Sequence, residues 1–173
     1  MSGRGMSMVL TCYNRQEYIK EAILSVFNQE YDGPMQLVIV DDASTDDSVH
    51  IIEKTVQEHG VGRDVEIVKL NQNLGVAGAT DAGWAKAKHD WILIVDGDDM
   101  QLPERCSMVE RAARECPHVG QISFAVQNID ANGRCFGVSS YNRRAYSECE
   151  ETLILDTPEE HFQIFLGSTP RVV

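Results

Sequence analysis

Four short apolar runs punctuate the first hundred residues: Ser7–Cys12 (SMVLTC), Met35–Val40 (MQLVIV), Val65–Leu70 (VEIVKL) and Trp91–Val95 (WILIV). All four predict strands, and the runs at Met35 and Trp91, rich in β-branched residues, predict strands buried on both faces. The stretches between them have a helical period. From Gln16 to Gln29 the apolar residues Ile19, Ala22, Ile23, Val26 and Phe27 recur at i, i+3, i+4, i+7 and i+8, the stripe of an amphipathic helix, with Asn14 as its expected N-cap. A second helix is predicted from Asp47 to Glu58, with Val49, Ile52 and Val56 on one face and acids in its first turn. Gly60 and Gly62 end it. A third, Val76 to Lys88, is built from small residues: Ala77, Gly78, Ala79, Ala82, Gly83, Ala85 and Ala87. Each interior Gly costs about 1 kcal/mol against Ala, so close approach is expected there, to the sheet or to a ligand.

The order β-α-β-α-β-α-β predicts an α/β fold: a three-layer α/β/α sandwich around a mainly parallel sheet, with right-handed crossovers. Beyond Met100 the pattern changes. A helix is expected after Pro103, with Met108, Val109, Ala112, Ala113 and Cys116 on its apolar face. Val119–Ile129 is strand-like, Asp130-Ala131-Asn132-Gly133 is a hairpin turn, and Arg134–Ser139 is its return strand. Ser140–Glu151 is expected to be loop and Glu159–Leu166 a short helix.

Composition removes several function classes. The 173 residues hold 15 basic and 27 acidic side chains, a net charge of −12. That excludes a general nucleic-acid binder, which needs a basic surface. No apolar run approaches the roughly 20 residues of a transmembrane helix, and Met1–Met6 carries no signal-peptide pattern. Five irregularly spaced cysteines suit reduced thiols in a cytoplasmic protein; a peripheral position at the inner membrane face is a further expectation. The five histidines form no metal-ligand spacing, so a structural zinc site is not expected.

The candidate chemistry lies where the strands stop. The second strand runs into Asp41-Asp42 and the fourth into Asp96-Gly97-Asp98-Asp99. In parallel sheets ligands sit just beyond the carboxyl ends of the strands. Carboxylates crowded there repel unless a cation intervenes, and Mn²⁺ or Mg²⁺ is the hard partner that oxygen ligands suit. The first strand ends in Thr11-Cys12-Tyr13-Asn14, where Thr11 and Asn14 can hydrogen-bond and Tyr13 can stack on a base. Together these parts suit a nucleoside diphosphate bridged by a metal. The bland alternative is an acidic surface turn, since Asp-Gly is a strong turn former.

Three segments, VLTCYNRQEYIKEAILSVFNQ, LVIVDDASTDDS and NQNLGVAGATDAGWAKAKHDWILIVDGDD, resemble the inverting, nucleotide-sugar-dependent glycosyltransferases of family 2, which have the GT-A fold. The resemblance covers roughly Met8–Arg105, and the order and spacing of the motifs carry it. It implies that Thr11 and Tyr13 line the nucleotide pocket, that Asp42 binds the base, and that Asp96-Gly97-Asp98 is the family's DxD signature. Asp96 would contact the ribose side of the donor, and Asp98 or Asp99 would ligate the metal. The implied partners are a nucleotide-diphosphate sugar, a UDP-sugar first, and a saccharide or lipid-linked acceptor. The implied layout is a single domain over residues 1–173, with residues 7–105 as the nucleotide-sugar half and 106–173 as a partial acceptor half. Two departures stand out. Ala79-Thr80-Asp81 replaces the Ala-Arg-Asn that many members carry. No residue matches the family's general base, which is expected beyond Val173; Glu148, Glu150 and Glu151 are read as solvated surface. The competing readings are a nucleotide-sugar-binding domain inactive alone, a haloacid-dehalogenase-like phosphatase using Asp96-Gly97-Asp98, and a phospho-receiver domain.

Overall fold

The structure, a computed structural model, describes residues 3–118, 120–124, 126–130, 134–139, 152–157 and 160–165. The chain divides into two compact units, Met1–Arg111 and Ala112–Val173.

The first unit alternates strand and helix. Its elements are β1 (Met6–Cys12), α1 (Ile19–Phe27), β2 (Met35–Asp41), α2 (Ser48–His59), β3 (Asp64–Lys69), α3 (Gly75–Trp84) and β4 (Trp91–Asp96), after which α4 (Arg105–Glu115) crosses the boundary. The four strands form one sheet in the order β3-β2-β1-β4, and every pairing is parallel. Right-handed crossovers then put α1 and α2 on one face of the sheet. The α3 connection travels back across the sheet, so it covers the other face. This is the expected three-layer sandwich.

Register assigns the side chains to those faces, because successive residues of a strand point to opposite sides. Val9, Val38, Val40 and Ile92 face α3 and pack with Ala79. Met8, Leu10, Ile39 and Leu93 point the other way and are fully buried. Burial of each such side chain is worth about 1.5–3 kcal/mol. Cys106 of α4 lies on that second face, its Sγ 3.9 Å from Met8 Sδ. The small residues of α3 have an explanation in Gly83. A Cβ there would collide with Val9 Cγ1 and lie 2.9 Å from Val40 Cγ2, so the close approach is to the sheet. At Gly78 the neighbour is Leu74 of the same chain turn, again not an open ligand space.

Several boundaries and faces differ from expectation. Helix α1 starts at Ile19, not Gln16, and Asn14 does not cap it. Asn14 adopts φ 51°, and its Oδ1 accepts from the Thr45 amide at 2.8 Å, tying two loops together. In α2 the buried line is Ser48, Ile52 and Thr55, so the helix is rotated from the Val49–Ile52–Val56 face. Its first turn holds no acid; Asp46 instead accepts from the Ser48 amide through Oδ1. Helix α3 ends at Trp84, and tighter turns at Lys86 and Ala87 close it.

The second unit is antiparallel. β5 (Gln121–Phe124), β9 (Glu160–Phe165) and β8 (Thr152–Thr157) form a three-stranded sheet in the order β5-β9-β8. β6 (Val126–Ile129) and β7 (Cys135–Ser139) form the expected hairpin. Within the segment expected as a helix over Glu159–Leu166, the described residues, 160–165, are therefore strand. Six residues make a marginal helix alone, whereas all six of β9 pair with β8. Residues 131–133 of the hairpin turn lie outside the described residues. So does the expected loop over Ser140–Glu151, with Glu148, Glu150 and Glu151.

Candidate functional site at the carboxyl edge of the parallel sheet

The strand order places β1 between the two strands that end in acids. Thr11 lies opposite Val40 on one side and Asp96 on the other. Residues in register share a face, so Thr11 and Asp96 both point to the α3 side. Asp42, two residues after Val40, follows the same parity. Its amide donates to the Cys12 carbonyl at 2.8 Å, which extends the ladder past β2. Asp42 is 3% exposed, and its Oδ1 accepts from the Leu74 amide at 2.7 Å, just before α3. Thr11, Asp42 and Asp96 thus share one edge and one face. Tyr13 follows two residues after Thr11 and is 43% exposed.

Asp41 faces the opposite way and is a structural acid. Its Oδ2 accepts from the Ser44 amide at 3.1 Å, and its buried Oδ1 meets no hydrogen-bond donor among the described residues. Together with Asn14, whose amide donates to Ser44 Oγ at 3.0 Å, it knits the β2–α2 loop to the β1–α1 loop.

Beyond β4 the chain turns tightly, and the Asp99 amide donates to the Asp96 carbonyl at 2.9 Å. Gly97 is required there by space. A Cβ would sit 2.8 Å from the Thr11 carbonyl oxygen, so only glycine lets the turn lie against β1. Asp98 points to the β1–α1 loop, where its Oδ2 accepts from Arg15 Nε at 2.9 Å. Asp99 has its carboxyl raised above the ordinary range, first by partial desolvation and then by repulsion from Asp96 and Asp98. The Arg105 guanidinium opposes that shift. Desolvation lowers Arg105 in turn to about 10, so it stays protonated at neutral pH. Asp98 thus pairs with Arg15, while Arg105 acts through its charge on Asp96 and Asp99.

Among the described residues no three acidic, His or Cys side chains converge as a ready-made metal cage. The donor chemistry nonetheless fits a hard cation. Mg²⁺ and similar ions are commonly held by one or two carboxylates, with phosphate oxygens and water completing the shell. Mutual repulsion within Asp96–Asp99 is the condition that such a cation relieves. One cavity of about 230 Å³ is lined by Asn14, Arg15, Gln16, Glu17, Tyr18 and Asp46. It adjoins the site through Arg15, and none of Thr11, Tyr13, Asp42, Asp96, Asp98 or Asp99 lines it.

Arg15 and Arg105 were not among the residues expected at this site. A cation near an acidic run in sequence is a weak hint, but which acid it meets depends on the sheet.

Comparison with known proteins gives a family. The family model described as Glycosyl transferase family 2 matches residues 7–168. An uncharacterized glycosyltransferase of Nostoc sp. is 30% identical over 152 residues, which is 88% of this chain and 46% of that protein. The poly-β-1,6-N-acetyl-D-glucosamine synthase of Staphylococcus epidermidis is 31% identical over 94 residues, 54% of this chain and 22% of that one. Among solved structures, S. aureus TarS 1–349 in complex with UDP-GlcNAc superposes with a TM-score of 0.60 at 26% identity, covering 88% of this chain and 39% of that one. The chain spans less than half the length of the curated relatives it matches.

Proposed function

The chain belongs to glycosyl transferase family 2, and from that premise we propose that it moves a sugar from a nucleoside-diphosphate sugar to an acceptor hydroxyl. The donor class is a UDP-sugar, with UDP-GlcNAc the first to test, because the TarS neighbour is complexed with it. The acceptor class is a saccharide or a lipid-linked saccharide, by analogy with the polysaccharide synthase relative. The observation that carries the reading is the convergence of Thr11, Asp42 and Asp96 on one face of adjacent strand ends, with Asp98 and Asp99 in the turn beyond.

In this reading Tyr13 would stack on the base and Asp42 would accept from it, Asp96 would meet the ribose, and Asp98 and Asp99 would hold a divalent cation. A bound Mn²⁺ or Mg²⁺ would supply Lewis-acid neutralisation of the departing diphosphate. The chain's own residues orient the donor, so that the acceptor oxygen attacks the anomeric carbon from the face opposite the leaving diphosphate, with inversion. We assign the proton-accepting base to none of the described carboxylates. Residues 7–105 are the donor-binding half and 106–173 belong to the acceptor side. Cys12, Cys106 and Cys116 are free thiols, which suits a reducing, cytoplasmic setting. Among the described residues no helix is long and apolar enough to cross a membrane.

Isothermal titration tests the reading. UDP should bind in the presence of Mn²⁺ or Mg²⁺ and not in EDTA, and Asp98→Asn combined with Asp99→Asn should abolish that dependence. Failure of UDP, GDP and TDP alike to bind with either metal would overturn it.

A further inference from the structure

We propose that Arg105 is a positioning residue that holds the Asp96–Asp99 turn in the shape its carboxylates need. This rests on the donor-and-cation reading above and adds to it a residue outside the acidic motif.

Arg105 opens α4, and its half-buried side chain reaches back under the turn. Nη2 donates to the Ile94 carbonyl at 3.0 Å, two residues before Asp96. Nη1 donates to Gln101 Oε1, two residues after Asp99. One guanidinium thus joins the chain entering the turn to the chain leaving it. The platform is itself anchored to α1 and the residues after it. The Gln101 amide donates to Ser25 Oγ at 3.0 Å, and the Cys106 amide donates to Gln29 Oε1 at 3.1 Å. Gln29 Nε2 also donates to the Leu102 carbonyl at 2.7 Å.

A planar guanidinium suits this task because its donors point in fixed, diverging directions. A lysine could supply the charge but not both bonds at once. The charge matters as well, since Asp96 and Asp99 both face Arg105 electrostatically. Without it, repulsion among the three carboxylates would spread the turn. Asp98 is answered separately by Arg15, so Arg105 acts on the Asp96 and Asp99 ends of the turn.

The test compares the whole chain with its Arg105→Lys and Arg105→Met variants by two readouts. The first is hydrogen exchange at the Asp99 amide, set against the Leu10 amide in the central strand. Arg105→Met should speed exchange at Asp99 by about tenfold, the scale of one bond to a charged group, with Leu10 unchanged. Arg105→Lys should fall between. The second readout is the affinity for UDP with Mn²⁺ beside that for uridine alone. The former should fall about tenfold in Arg105→Met, and the latter should hold. Unchanged exchange at Asp99 in a folded Arg105→Met protein overturns the proposal. So does an equal loss of uridine and UDP–Mn²⁺ affinity, which marks a general structural role. If the unmodified chain binds neither ligand, the functional reading fails, and exchange at Asp99 alone decides on Arg105. If Arg105→Met does not fold, Arg105→Lys carries the same comparisons.

Discussion

Asp42 and Asp99 make different contributions to the site, and substitution should separate them. Asp42 is buried and accepts from the Leu74 amide. Asp42→Ala leaves that amide unpaired and should cost about 1–3 kcal/mol in urea unfolding. Asp42→Asn keeps an acceptor at Oδ1, so it should retain most of that stability while weakening uridine binding. Equal destabilisation by both would show that the carboxylate charge, not the acceptor, holds α3. Asp99 is exposed, and its carboxyl is raised from its ordinary value of 3.8 by desolvation and by Asp96 and Asp98. A carboxyl raised on folding binds its proton more tightly in the folded state. Its effect on stability is therefore absent below the unfolded value and turns unfavourable as pH rises through the folded one. Asp99→Asn should accordingly melt above the unmodified chain at pH 7, with the difference vanishing near pH 3. The same variant should bind Mn²⁺–UDP more weakly, so the strain and the proposed function have one source. A midpoint at or below the parent's at pH 7 would contradict this account.

The packing of α3 on the sheet makes a similar prediction for an element. Gly83 is the point of nearest approach, against Val9 and Val40. Gly83→Ala improves helix propensity by about 1 kcal/mol, but overpacking of a close-packed contact costs about 1–3 kcal/mol. The net should be a loss of stability, read as a lower denaturation midpoint with an unchanged slope. A more stable variant would mean that α3 can shift outward freely. Gly97 carries the same argument to the turn after β4, where the obstacle is the Thr11 carbonyl and not a flexible side chain. The amphipathic α1, the small-residue α3 and all four parallel strands were legible from local periodicity. The face of α2 was not. Ser48 and Thr55 are buried in place of the more apolar Val49 and Val56, because hydroxyls that find partners can be buried cheaply. Thr55 Oγ1 donates to the Ile51 carbonyl and Ser48 Oγ accepts from the Arg15 amide.

For the chain as a unit, the proposed ligands should report on stability. A ligand that binds only the folded state adds about 2.7 kcal/mol at a hundredfold excess over Kd. For a chain of this size that raises the midpoint by roughly 5–10 °C. UDP and Mn²⁺ together should produce such a shift, and either alone much less. An equal shift from UDP in EDTA would remove the metal from the reading.

The amino-acid sequence by itself determined the elements of the first unit and the carboxylates at the ends of its strands, since both follow from short-range periodicity and from where apolar runs stop. It did not determine which acids meet which partners. That was decided by the order β3-β2-β1-β4, which sets Thr11 between Asp42 and Asp96 and sends Asp41 to the other face. It was decided again by contacts from distant elements, Arg15 to Asp98 and Arg105 to the Ile94 carbonyl. Glu160–Phe165 became a strand for the same reason: six residues have little preference of their own, and the hydrogen bonds of a ladder come from a neighbour that only the folded chain supplies.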